Sequence, residues 1–73
     1  MEKEEFIVAL GLRIQKIRTR KKISVYRLGK NIGKAPFSIQ RMEQGKITPS
    51  LYYLYEIAGG LGVSLEELVK RLP

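Results

Sequence analysis

The sequence has no cysteine and no histidine in its 73 residues. Without cysteine the chain can form no disulfide, no thiol nucleophile and no zinc site of the Cys/His type. Without histidine it lacks the commonest general acid or base. A chain this short also has little volume to spare for a buried substrate pocket. We therefore expect neither an enzyme nor a protein that binds a metal or another cofactor.

Long hydrophobic runs are missing as well. The longest early run, residues 6–10, has five apolar residues and follows Glu4 and Glu5. It is too short for a membrane span or a signal-peptide core, and the charge before it has the wrong sign for a signal peptide. These absences predict a cytoplasmic protein without a membrane partner.

Acidic residues are scarce in the middle of the chain, where basic residues are concentrated. Residues 13–46 hold eleven lysines and arginines but a single acid, Glu43, whereas the rest of the chain carries six acids and three bases. The formal net charge of the whole chain is +7. A small chain with this asymmetry is typical of proteins that bind a polyanion, above all a nucleic acid. The alternative is a basic surface that only keeps a small protein soluble.

Apolar residues recur three or four positions apart along the chain, which is the spacing of helices. With 44% hydrophobic residues we expect one small core and one all-α domain over residues 1–73. The predicted helices cover residues 4–20, 25–32, 36–44, 51–61 and a short stretch from 65 onward. Their predicted inward-facing residues are, helix by helix, Phe6, Leu10, Ile14 and Ile17; Leu28 and Ile32; Ala35, Ile39 and Met42; Leu51, Leu54, Ala58 and Leu61; and Leu65, Leu68 and Val69.

Serine and glycine mark the ends of these helices. A serine just before a helix can accept a hydrogen bond from an N–H group of the first turn, and a glycine just after one can adopt positive φ. The predicted caps are Ser24, Ser50 and Ser64 at the starts, and Gly33, Gly45 and Gly62 at the ends.

The second and third predicted helices are short, lie within the basic segment and are separated by the turn at Gly33. This arrangement is typical of a helix-turn-helix motif, in which a small residue such as Gly29 lets two helices cross closely. An outward helix face that carries glutamine and arginine can enter the major groove of DNA. The outward residues of the third helix are Pro36, Phe37, Gln40, Arg41 and Gln44.

The order and spacing of these features over about residues 10–69 resemble the XRE-type helix-turn-helix domains of phage repressors and Cro. The resemblance is carried by residues 10–18, 24–33, 38–46, 49–51 and 61–68. It implies a compact five-helix, lambda repressor-like domain with the helix-turn-helix at about 24–44 and a short helical extension at 1–9. It also implies a homodimer that binds double-stranded operator DNA, with residues 35–42 as the recognition helix.

The resemblance further implies an internal ion pair between Arg18 and Glu43. The charge pattern is consistent with this ion pair, because Glu43 is the only acid among the eleven bases of residues 13–46. We expect the pair to have a structural role. The alternative is that Glu43 is exposed to solvent.

Three positions depart from the family pattern. Val25 stands where a glutamine often contacts a phosphate, so only the backbone N–H groups at the start of that helix remain for this task. Ala35 replaces a polar cap before the recognition helix. Phe37 stands where a polar base-reading residue is common, and a phenylalanine can pack only on an apolar group such as the methyl of thymine. The alternative for Phe37 is contact with the core or with a protein partner.

The candidate DNA contacts follow from these arguments, and arginine to guanine is the commonest specific contact. The candidates for reading bases are Pro36, Phe37, Ser38, Gln40 and Arg41. Those for phosphate contacts are Ser24, Lys34, Gln44, Lys46 and Ser50, chosen for their charge, their polarity or their place at a helix N-terminus.

Two further features of the fourth helix are noted. Tyr52 and Tyr53 are predicted to face outward, where a tyrosine covers the core, touches a phosphate or meets another protein. Gly59 and Gly60 weaken a helix interior. A close approach by another backbone and fraying of the helix are both open explanations.

The sequence thus favours a dimeric, sequence-specific transcriptional regulator, most simply a repressor. One alternative is an antitoxin-type module that neutralises a toxin and regulates its own operon. The other is a nucleic-acid binder without sequence preference.

Overall fold

A computed structural model describes residues 2–72. The helices are α1 (Lys3–Arg20), α2 (Val25–Ile32), α3 (Pro36–Glu43), α4 (Leu51–Leu61) and α5 (Leu65–Val69). Within the described residues there is no strand, so the predicted all-α class is confirmed. None of these helices is both long and apolar enough to cross a bilayer.

The predicted helix ends are confirmed. The caps at the starts of α2, α4 and α5 are the side chains of Ser24, Ser50 and Ser64, which accept hydrogen bonds from the backbone N–H groups of Arg27, Tyr53 and Glu67. The glycines that follow α2, α3 and α4 all have positive φ: Gly33 at 71°, Gly45 at 74° and Gly62 at 73°. Serine and glycine therefore set both ends of α2 and α4, whereas α3 begins at Pro36 without a side-chain cap.

One core holds the five helices together. Helix α1 packs on α3 and α5, α2 packs on α3 and α4, and α4 also packs on α5. Most of the predicted inward-facing residues are buried, and Ile7 and Ile57 join them. The core cluster consists of Leu10, Ile14, Ile17, Leu28, Ile39, Met42, Leu54, Ile57, Ala58, Leu61 and Leu68.

Four predictions about burial are wrong. Phe6 is 38% exposed because the buried stripe of α1 runs through Ile7 instead. Leu51 is 71% exposed, since it starts α4 beyond the reach of the neighbouring helices. Ala35 precedes α3 in extended conformation and is exposed, and Val69 is exposed at the last position of α5. Tyr53, by contrast, is half-buried and packs against the core.

Two glycines allow the backbone to pack closely around α3. A Cβ atom on Gly11 would lie 2.6 Å from the carbonyl oxygens of both Met42 and Glu43. A Cβ atom on Gly29 would collide with the carbonyl oxygen of Lys34, in the turn between α2 and α3. Only glycine therefore lets α1 and α2 approach the two ends of α3 this closely.

Candidate nucleic-acid interface

The C-terminal end of α3 is fixed to α1 by an ion pair. Arg18 Nε donates to Glu43 Oε2 at 2.6 Å, and its second terminal nitrogen donates to Glu43 Oε1 at 3.0 Å. The remaining terminal nitrogen donates to the carbonyl oxygen of Ile23 at 2.8 Å. Glu43 is only 6% exposed, so the alternative of a solvent-exposed Glu43 is wrong. This fork-to-fork geometry fixes α3 relative to α1 and to the start of α2.

The middle of α3 is fixed to α4 by a smaller polar cluster. The hydroxyl groups of Ser38 and Tyr53 lie 2.9 Å apart in a hydrogen bond. The ammonium group of Lys34 lies 5.2 Å from the centre of the Tyr53 ring and 3.7 Å from Glu56 Oε1. Tyr53 thus provides α3 with a second fixed contact, and only the cluster of tyrosines indicated it in the sequence.

These contacts leave the outer side of α3 free. We call the surface formed by Phe37, Gln40, Arg41 and Gln44 the reading face. Gln40 and Gln44 are exposed, Arg41 is half-buried and Phe37 is 66% exposed. The face therefore presents an amide, a guanidinium group and an aromatic ring on one rigid helix. The other two candidate base contacts, Pro36 and Ser38, are both half-buried.

Two side chains of the reading face touch each other. The Arg41 guanidinium carbon lies 5.6 Å from the centre of the Phe37 ring. The two residues are four positions apart, which places them one above the other on a helix. An arginine at this distance over an aromatic face is held by a cation–π interaction.

The candidate phosphate contacts lie around the reading face. Ser24 and Ser50 use their side-chain oxygens as helix caps, so what each helix start offers to an anion is its first-turn N–H groups. Val25 packs against the core and does not replace the missing glutamine. Lys46 is exposed in the loop after α3. Lys34 is less available, because its ammonium group is already beside Glu56.

A second basic surface lies between α1 and α5. It surrounds an open cleft of about 350 Å³ lined by Arg13, Lys16, Ile17, Arg20, Glu67, Lys70 and Arg71. Arg13 donates to the carbonyl oxygen of Glu67 at 3.0 Å. Arg13, Lys16 and Arg20 follow one side of α1 at helical spacing, whereas Gly11 and Arg18, which meet α3, lie on another, so this α1–α5 cleft is not on the side of α1 that meets α3. The single basic segment of the sequence is thus divided between two surfaces.

The outer side of α4 is aromatic, and the one charged residue of this helix, Glu56, is half-buried beside Lys34. Tyr52 and Tyr55 are 68% and 62% exposed, and their ring centres lie 6.0 Å apart. The two glycines of this helix differ. A Cβ atom on Gly60 would press on the side chains of Leu28 and Ile32, whereas one on Gly59 would meet nothing within 4 Å.

In the part of the chain that the structure describes, no group of three or more His, Cys, Asp or Glu side chains lies close enough together to hold a metal ion. The side chains of the reading face themselves offer hydrogen bonding, apolar contact and positive charge.

Known proteins share this arrangement. The restriction-modification controller protein C.AhdI from Aeromonas hydrophila is 27% identical, with a TM-score of 0.82 over 85% of this chain and 94% of that one. The P22 c2 repressor, solved with a synthetic operator, is 30% identical, with a TM-score of 0.74 over 84% of this chain and 92% of that one. The competence regulator ComR from Streptococcus vestibularis is 29% identical, with a TM-score of 0.83 over 93% of this chain but 23% of its own.

No curated protein sequence matches the chain. The Helix-turn-helix family matches residues 14–68, which span α2, α3 and α4 together with the C-terminal part of α1 and most of α5. The matched segment includes the reading face and both residues of the buried ion pair. The family and the structural neighbours support a DNA-binding transcriptional regulator. The chain belongs to the Helix-turn-helix family.

Proposed function

We propose that the protein is a sequence-specific regulator of transcription that binds double-stranded DNA as a homodimer and acts as a repressor. The observation that carries this proposal is the reading face. Its side chains, three exposed and one (Arg41) half-buried, lie on the outer side of a helix that is fixed at one end by Arg18 and in the middle by Tyr53. A recognition helix must be held rigidly, since its side chains have to meet base edges in a groove about 12 Å wide.

The reading face divides the work among its residues. Arg41 donates to O6 and N7 of guanine, and Gln40 donates to and accepts from adenine. Ser38 contributes through its bond to Tyr53, which sets the position of α3. Pro36 is the first residue of α3 and shapes the N-terminal end of this helix.

Phosphate groups on either side of the groove are bound by the surroundings of the reading face. The N-terminal ends of α2 and α4, beside Ser24 and Ser50, offer N–H groups and the positive end of the helix dipole. Lys46 and Gln44 follow α3, and Lys34 precedes it and exchanges Glu56 for a phosphate on binding. These contacts supply affinity and orientation but not sequence preference.

Selection from a random duplex pool at about 0.15 M salt tests the proposal, followed by competition against scrambled DNA over a series of salt concentrations. We expect a near-palindromic site with half-sites about one helical turn apart, and a preference of at least ~10³-fold over random DNA. If no sequence is enriched and affinity disappears as salt rises, only charge binds the DNA and the proposal fails.

Two variants separate the roles on the selected site. Arg41→Ala should cost about 1–3 kcal/mol and relax one base position. Lys46→Ala should weaken binding to all sequences alike and lower the salt dependence by about one phosphate. Equal losses on cognate and random DNA for both variants would contradict this division.

A second candidate function is favoured by the aromatic side of α4. Two tyrosines more than 60% exposed and in mutual contact are typical of a surface that meets another protein. An antitoxin would use such a surface for its toxin while the reading face binds the operon. Co-expression with the product of the neighbouring gene tests this. A stable complex that Tyr52→Ser with Tyr55→Ser abolishes, without loss of DNA binding, would support it.

A further inference from the structure

Phe37 is an exposed aromatic residue that the fold does not explain. It is 66% exposed and stands on the outer side of α3, away from the core cluster. The guanidinium carbon of Arg41 lies 5.6 Å from the centre of the Phe37 ring. The core does not use this large apolar side chain, so its function is best explained by what the surface binds.

The contact changes what Arg41 can do. A free arginine samples many rotamers, and each must be given up when the guanidinium group meets a base. The Phe37 ring restricts Arg41 to conformations that lie over its face. The attraction between the cation and the ring also strengthens when water is excluded, as happens when the surface enters a groove.

The ring has a second surface that Arg41 leaves uncovered. A phenyl ring neither donates nor accepts a hydrogen bond, so it cannot read the polar edges of guanine, cytosine or adenine. The C5-methyl group of thymine is the one apolar group in the major groove. The spacing of 5.6 Å between guanidinium and ring lies between one and two base-pair rises of about 3.4 Å.

We infer that Phe37 and Arg41 form one composite reading unit for a thymine next to a guanine. Arg41 binds the guanine, and Phe37 packs on the methyl group of the neighbouring thymine while positioning Arg41. This inference rests on the proposed function, because it names the DNA element that the reading face recognises. It predicts adjacent T·A and G·C pairs in each half-site.

The two roles of Phe37 can be separated by two variants. Phe37→Leu keeps an apolar contact for the methyl group but removes the aromatic face under Arg41. Phe37→Ala removes both. Tyr55→Ala is the matched control, because it deletes another exposed aromatic ring, on α4. Both positions are exposed, so thermal unfolding should confirm that the three variants remain folded.

The experiment measures affinity for the selected operator and for operators with one changed base. Replacing the thymine with deoxyuridine removes only the methyl group, and we expect wild type to lose about fourfold, the equivalent of one buried methyl. Phe37→Leu should keep this loss, and Phe37→Ala should abolish it. Phe37→Leu should also lower the preference for guanine by about fivefold to thirtyfold. In the Arg41→Ala background, Phe37→Leu should not lower the preference for guanine any further.

The inference is overturned if deoxyuridine leaves the affinity of wild type unchanged. It is equally overturned if the effects of Phe37→Leu and Arg41→Ala simply add, since a positioning residue acts only through its partner. The same applies if Tyr55→Ala lowers the guanine preference as much as Phe37→Leu does. These outcomes leave the proposed function intact. The proposed function fails separately if wild type selects no sequence at all.

Discussion

The two sides of α1 carry the same residue type in two opposite settings. On the side facing α3, Arg18 lies against a nearly buried carboxylate, and Gly11 touches the backbone of the neighbouring helix. On the side facing α5, Arg13 makes one exposed hydrogen bond at the edge of the open α1–α5 cleft. All three residues belong to one short stretch of sequence.

Burial, and not membership of a charged segment, therefore determines what each arginine does. Arg18 has its donors engaged by Glu43 and Ile23, so it contributes to the fold and has little left for a phosphate. Arg13, Lys16 and Arg20 line a solvent-exposed cleft, where charges interact weakly with one another and strongly with salt. A count of basic residues therefore overstates the charge available for DNA.

Arg18→Ala is expected to have the largest effect, a loss of about 3–5 kcal/mol in the free energy of unfolding. It leaves the Glu43 carboxylate buried without a partner. A chain of 73 residues has a total stability on the order of 4–11 kcal/mol, so this variant should be largely or partly unfolded. Urea unfolding followed by circular dichroism measures the loss.

The matched control replaces both partners. Arg18→Met with Glu43→Leu removes the two charges together and should be clearly more stable than Arg18→Ala, because no unpaired charge remains. If the double variant is as unstable as the single one, packing rather than charge explains the site. A loss below about 1 kcal/mol for Arg18→Ala would mean that the Arg18–Glu43 pair stabilises the fold no more than an ordinary surface ion pair does.

Gly11→Ala comes next, with an expected loss of about 1–3 kcal/mol from overpacking. Its Cβ atom would lie 2.6 Å from two backbone oxygens of α3, and neither oxygen can move without shifting that helix. Gly59→Ala is the control, since nothing lies within 4 Å of its Cβ position. There alanine should stabilise the helix by about 0.5–1 kcal/mol.

Thermal or urea unfolding of the two alanine variants checks the pair. Opposite signs are the expected result. A stable Gly11→Ala variant would mean that α1 and α3 can separate slightly at no cost, and it would weaken the contrast between the two sides of α1. Any destabilisation by Gly59→Ala would indicate that a second chain approaches α4 at this point.

Sequence reasoning predicted the helices and their ends because these depend on local signals. Serine caps and glycines with positive φ act within one turn, so Ser24, Ser50 and Gly33 are readable without a tertiary structure. Burial was less predictable at helix ends. Phe6 and Leu51 continue an apolar spacing, but the buried stripe of α1 runs through Ile7 instead of Phe6, and Leu51 starts α4 beyond the reach of the neighbouring helices.

The side chains of the candidate site were predictable from the sequence, but the contacts that hold α3 in place were not. Arg41 and Gln40 follow from the polar side of a short helix. The bond between Ser38 and Tyr53 joins residues fifteen positions apart, and no local pattern indicates such a pair. The five-residue spacing of Arg13 and Arg18 alone puts them on different sides of α1, but which side meets α3 and which meets α5 depends on how the helices pack.

Arg13→Ala should have a smaller effect, a loss of about 0.5–1 kcal/mol in the free energy of unfolding. It removes one hydrogen bond, to the carbonyl oxygen of Glu67, at a position open to water. Since water can replace the lost donor, no buried group is left unsatisfied. Urea unfolding beside Arg18→Ala gives the direct comparison. Equal losses for the two arginines would contradict the argument from burial.

Lys16→Gln combined with Arg20→Gln should have the smallest effect on the fold, within about 0.5 kcal/mol. Both residues line the α1–α5 cleft, on the opposite side of α1 from α3. We expect the double variant to lose affinity equally for operator and random DNA, and the loss to fade as salt rises, because only long-range attraction is removed. Arg41→Gln with Lys46→Gln is the control with the same charge change at and beside the reading face, and it should alter sequence preference. If the cleft variant changes sequence preference as well, the cleft touches the operator and the two basic surfaces are one.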